Sequence, residues 1–152
     1  MPTIQAKDLS KEFPRSPYAD LAGIPWLPRL VDKVRALNAG TIGEYTPFPC
    51  GGDQRFLGVM GLDADAMKSQ IASGASDDEI VAWVKANATP GYEGRMAEYQ
   101  QGQFQAVTGE MAGYLAHAKE ELAKARPELD LSGVTNFAQL ICMEEGYPIP
   151  SA

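Results

Sequence analysis

Cysteine is scarce in this chain: Cys50 and Cys142 are its two thiols, and they stand far apart. Two isolated thiols build no disulfide framework, so a reducing compartment is expected. Histidine is scarcer still, with His117 alone. One imidazole and two distant thiols offer no zinc set, and the acidic residues follow no calcium-loop spacing. Long apolar runs are missing, which excludes a membrane-spanning helix from the expected fold. The first nine residues lack the apolar stretch of a secretory signal, and a cytoplasmic location is expected. Basic charge is in deficit, with 13 Lys and Arg against 20 Asp and Glu and a net charge of −7. A nucleic-acid partner needs a basic footprint, so none is expected. Gly51-Gly52 is followed by neither the spacing nor the Lys-Ser/Thr of a phosphate loop, and no dinucleotide fingerprint occurs. No metal and no cofactor is therefore expected.

What is present is ordinary globular composition, 45% hydrophobic and 22% charged over 152 residues. That length suits one core. We expect a single all-α domain over 1–152, with six or seven mostly short helices in 26–152 and an irregular Pro-rich arm over 1–25. The arm holds Pro2, Pro14, Pro17 and Pro25, which remove donors and fix φ, so it must lie along a surface made by other elements. One short helical turn is expected at Leu9–Phe13. Charge is uneven along the chain. Residues 1–35 carry six basic and four acidic residues, and the remainder seven basic and sixteen acidic. This is what an arm docked on its own acidic remainder requires, or else what a local anion site requires.

Periodicity and punctuation give the helices. Leu27, Leu30, Val31, Val34 and Leu37 form a stripe over 26–39 closed by Gly40, with Arg29, Asp32, Lys33 and Arg35 on the other side and Arg29/Asp32 and Asp32/Arg35 at pairing distance. Residues 41–52 hold two prolines and three of the chain's glycines and read as a loop, with a short extended piece at Ile42–Thr46. Asp53 is placed to cap a helix through Met60, and Asp63 a helix over 64–73. Ser76 with Glu79 forms a capping box for a helix through Asn87. A short helix is expected over 93–101. The stripe Phe104, Val107, Met111, Leu115, Ala118 and Leu122 predicts one long helix ending before Pro127, with Gly109 and Gly113 inside it leaving room for another backbone. Packing within the chain, or less economically a homodimer, would use that face. Asn136 or Thr135 caps a last helix over 137–145.

Chemistry-bearing residues gather in the loop. Glu44, Tyr45, Cys50, Asp53 and Arg55 bring two carboxylates, a phenol, a thiol and a guanidinium into twelve residues shaped by glycine and proline. Such loops converge polar groups on small ligands. The plainer reading is structural: Asp53 as a cap, Arg55 pairing Asp32 or Glu44, Tyr45 as a satisfied core aromatic. On the functional reading Glu44 and Tyr45 form an acid/base or hydrogen-bonding pair, while Arg15, Asp32, Asp53 and Arg55 bind an anionic metabolite. A Cys50 nucleophile would need a base. His117, with Glu120 and Glu121 one turn on, fits a solvated His–Glu pair better.

Several segments, taken in order, carry a resemblance. Asp8-Leu-Ser, Phe13-Pro-Arg-Ser-Pro17, Trp26-Leu-Pro-Arg-Leu-Val-Asp-Lys33, Ala39-Gly-Thr-Ile-Gly-Glu-Tyr45, Asp53-Gln-Arg-Phe-Leu57 and Ala82-Trp-Val84 resemble a small bacterial family, domain-of-unknown-function family 5069. Leu131–Gly146 resembles its closing segment, while 89–127 matches little. Each motif alone is weak, and their ordered combination is specific. The resemblance implies no activity. It marks Pro14, Arg15, Asp32, Gly43, Glu44, Tyr45, Asp53 and Arg55 as pattern positions, and Cys50-Gly51-Gly52 as a local departure.

Overall fold

The Pro-rich arm turns back on itself once before the first helix. In the structure, a computed structural model describing residues 5–151, β1 (Asp20–Leu21) pairs antiparallel with β2 (Ile24–Pro25). Ala22 and Gly23 link them with φ of 51° and 81°, the two positive values that a tight primed hairpin turn requires. The Asp20 carboxylate accepts the Gly23 N–H at 2.8 Å. The beginning of the expected arm, 1–4 with Pro2, lies outside the described residues. Asp8 O accepts the N–H groups of Lys11 and Glu12, making the single turn that the sequence suggested. Leu9 N–H donates to Thr41 O, and Thr41 Oγ1 donates to Lys7 O, so the arm is tied to the end of the first helix.

That helix, α1 (Leu27–Ala39), starts with Pro28 in its first turn and stops at Gly40, whose φ of 74° lets its N–H reach back to Ala36 and Leu37 carbonyls. Leu27, Leu30, Val31, Val34 and Ala36 are fully buried. Each such aliphatic side chain, alanine apart, contributes about 1.5–3 kcal/mol. The opposite side corrects the amphipathic reading: Arg29, Asp32 and Lys33 are buried as well. The helix is enclosed all round because the arm, the loop after Gly40 and the helices that follow supply partners for each of these charges.

The next helices follow their caps. α2 (Gly51–Met60) begins earlier than expected, with Cys50 rather than Asp53 at the cap position. Asp53 sits one turn in, and its carboxylate accepts the Cys50 N–H at 3.1 Å. Residues 42–45 make one turn, with the Tyr45 N–H directed at Ile42 O, not the extended piece expected over 42–46. α3 (Ala64–Ala72) is capped by Asp63, which accepts the Ala66 N–H. α4 (Asp77–Asn87) opens on the reciprocal Ser76–Glu79 box, both bonds at 3.2 Å. α5 (Tyr92–Gly102) follows.

The chain's contacts gather into two compact units, 1–97 and 98–152, whose boundary falls within α5. The second unit contains α6 (Glu110–Ala125) and α7 (Phe137–Glu145). Leu115, Leu131, Val134 and Leu140 form its core, with Val107, Leu122 and Phe137 packed against them. The long helix expected from Phe104 starts only at Glu110. Gly109 is its N-cap with φ 62°, and Val107 N–H is taken up by Thr135 O, so the first two apolar positions of the stripe lie on a loop. Gly113 is exposed and a Cβ there would meet nothing within 4 Å, so no backbone approaches it. Asn136 caps α7 through the Gln139 N–H and also donates to Gln103 O and Gln105 O, fixing the loop before α6. Among the described residues the chain is mostly helical, with seven helices and one two-stranded hairpin.

Candidate functional site

The charges that α1 buries divide between two clusters in the first unit. In the first, Asp32 receives the arm. Its carboxylate accepts the Arg15 backbone N–H at 2.8 Å, Arg15 Nε at 3.1 Å and Arg15 Nη2 at 3.0 Å, with Lys7 Nζ 3.7 Å away. Arg15 Nη1 turns to Asp77 at 2.9 Å, and Arg35 Nη1 reaches Asp77 at the same distance. Two arginines from the arm and α1 thus converge on the first residue of α4, where negative charge also meets the helix dipole. Burial pushes the Asp77 carboxyl up, but the hydrogen bonds and charges of Arg15 and Arg35 outweigh it and hold it below the ordinary aspartate range. Burial works against the Arg15 charge, and Asp32 and Asp77 more than restore it. The fork of Arg15 is occupied by two carboxylates of its own chain, which makes it a fastener of the arm.

The second cluster surrounds Asp53, which is fully buried. Trp26 Nε1 donates to its Oδ1 at 2.9 Å, while Oδ2 takes the Cys50 N–H and faces Lys33 Nζ at 3.4 Å. Lys33 also donates to Cys50 Sγ at 3.0 Å. Its side chain is 4% exposed, and a lysine ammonium is tolerated at that depth only with such partners. The sequence at this point is fitted to the indole. A Cβ on Gly52 would lie 2.5 Å from the Trp26 ring, so only glycine lets the first turn of α2 pass beneath it. Trp26 itself holds φ 71°, a left-handed conformation costly for an aromatic residue, and the bond to Asp53 and the packing on Gly52 fix it there. The Arg29 guanidinium lies 5.8 Å from the centroids of both Trp26 and Tyr45, within cation–π range of each, and also donates to Arg15 O. Gly43 carries the loop past the arm: its φ is 62°, and a Cβ there would meet Leu9 O at 2.9 Å.

Of the residues singled out from the sequence, Arg15 and Asp32 therefore meet each other, and Asp53 meets Trp26, Lys33 and Cys50 in the neighbouring cluster. Tyr45 is half-buried against Arg29, while Glu44 and Arg55 are exposed. Among the described residues no ion pair joins Glu44 to Arg15 or Arg55. Cys50 is half-buried with Lys33, not a histidine, at its sulfur; His117 is exposed on α6. Lys33, Trp26 and Arg29 are the members that sequence reading missed. No local signal marks Lys33, because its partner Asp53 lies 20 residues along the chain.

No group of three or more His, Cys, Asp or Glu able to hold a metal stands among the described residues, and no described helix is long and apolar enough to cross a membrane. A mostly helical protein whose first helix carries a buried set of paired charges is the class that this fold and site define. The model of the family "Domain of unknown function (DUF5069)" matches residues 11–147, nearly the whole chain, and the protein belongs to that family. No curated protein matches it.

Proposed function

We propose that the surface over the first turn of α2 binds a small anionic metabolite in a bacterial, cytoplasmic protein. The observation that carries this is the buried Lys33 ammonium, which reaches the half-buried Cys50 at the helix start while Arg55 stands exposed one turn along the same helix. Arg55 and the positive end of the α2 dipole favour an anion on that helix, while the Lys33–Asp53 pair holds its first turn in place. Glu44 and Tyr45, on the loop that leads into α2, are the proposed acid/base or hydrogen-bonding pair. Tyr45 is held against Arg29, and Glu44 is free to meet a ligand hydroxyl or amine. Arg15, Asp32 and Asp53 serve this reading as the frame: they hold arm, helix and loop together rather than touch the ligand. Neither Cys50 nor Cys142 is in a disulfide, which fits the reducing compartment proposed.

Thermal melts of the whole chain against a panel of small carboxylates and phosphates, beside an Arg55→Ala variant, test the proposal. A ligand at about a hundred times its Kd adds about 2.7 kcal/mol. For a protein of this length that is roughly 5–10 °C. A shift that the variant loses supports the site; a flat panel removes it. A flat panel favours a second reading, an interaction or homodimer face on α6, where Met111 is 49% and Tyr114 63% exposed.

A further inference from the structure

Beyond ligand binding, the contact between Lys33 and Cys50 places a nucleophilic nitrogen and an oxidisable sulfur 3.0 Å apart at the foot of α2. The two groups differ in access. Cys50 is half-buried, so a small oxidant can reach its sulfur, whereas the Lys33 side chain is 4% exposed and its nitrogen is confined beside that sulfur by Asp53. We propose that Cys50 and Lys33 are a modification site, closed by peroxide into a sulfur–nitrogen crosslink.

The chemistry balances with hydrogen peroxide as the only co-reactant. The Cys50 thiolate attacks one peroxide oxygen and the O–O bond breaks, giving a sulfenic acid and hydroxide. The hydroxide takes a proton from the adjacent Lys33 ammonium, leaving water and a neutral amine. The amine lone pair then attacks sulfur, the S–O bond breaks, and the departing hydroxyl leaves as water with one amine proton. Sulfur has lost two electrons to peroxide, and the product is a sulfenamide. Sulfenic acids are known to condense with a nitrogen in this way when one is held close. Here a lysine nitrogen lies 3.0 Å from the sulfur. The crosslink would join α1 to the start of α2 and remove the Lys33 charge beside Asp53. A thiol reductant would restore both residues. Cys142 is fully buried and serves as an internal comparison.

Intact-mass analysis of the whole protein treated with a small excess of hydrogen peroxide tests this directly. The expected product is about 2 Da lighter than the reduced chain, is resistant to trypsin after Lys33, joins the Lys33 and Cys50 peptides, and reverts with dithiothreitol. Cys50→Ser abolishes the product. Lys33→Arg, chosen because it keeps a cation beside Asp53, yields instead a product one oxygen heavier that dimedone traps at Cys50. The proposal is overturned if the unsubstituted chain accumulates a dimedone-reactive or further oxidised Cys50 with Lys33 unlinked. It is equally overturned by a Cys50 disulfide dimer as the main product, by reaction at Cys142 first, or by no reaction.

Discussion

Replacing Asp53 by Asn gives the sharpest test of how the first unit is held together. The substitution keeps the shape and an oxygen for the Trp26 indole, but puts an NH2 group where Lys33 and the Cys50 N–H both need an acceptor. Lys33 is then a buried cation without its counter-charge. Removing one partner of a buried ion pair costs about 3–5 kcal/mol. For a chain of 152 residues, at about 2–4 °C per kcal/mol, the midpoint of thermal unfolding should fall by roughly 6–20 °C. Loss of shape is not the cause, and a second substitution shows it. Lys33→Met removes the stranded charge, so the double variant Lys33→Met/Asp53→Asn should be more stable than the two single losses would sum to, by about 0.5–3 kcal/mol. Urea unfolding of the four proteins at one pH measures this coupling. A fall of less than about 1 kcal/mol in Asp53→Asn, or strict additivity in the double variant, would refute the idea that Asp53 neutralises Lys33.

Other expectations bear on the neighbouring parts. Gly52→Ala should destabilise by about 1–3 kcal/mol, since its methyl would enter the Trp26 ring, whereas Gly51→Ala, with nothing within 4 Å, should be close to neutral; a melt of each pair member decides it. Asp77 titrates below its ordinary value near 3.8, so its pairing contributes stability above that pH and loses it as pH falls through the lowered folded-state value. Acid unfolding followed by circular dichroism should accordingly be shallower in Asp77→Asn, and an unchanged acid limb would count against the arm's anchorage there. Gly43→Ala should loosen the arm, because φ 62° and a Cβ 2.9 Å from Leu9 O are both unfavourable. The measurement is amide hydrogen exchange at Leu9, whose N–H is bonded to Thr41 O; unchanged protection would contradict it.

The sequence by itself determined where most helices begin and end. Asp63, the Ser76–Glu79 box, Asn136, and the glycines at 40, 61 and 146 act within four or five residues of themselves, so their chemistry is legible without a fold. The ordered motifs likewise reached the family that the chain belongs to. Two errors share one cause. The stripe from Phe104 predicted helix through Gly109, but Asn136, more than thirty residues away, holds the Gln103 and Gln105 carbonyls and keeps that stretch a loop. The charges on α1 read as a polar side on which Asp32 pairs with Arg29 and Arg35 within the helix. Tertiary structure paired Asp32 with Arg15, Lys33 with Asp53 and Arg35 with Asp77, between 17 and 42 residues distant. Periodicity records which side chains are polar, but a polar face is satisfied as well by a buried partner as by water. Only the folded chain decided that Asp53 faces Lys33 and Trp26 and that Cys50 rests on a lysine, because those contacts exist only once α1, the loop and α2 have closed on one another.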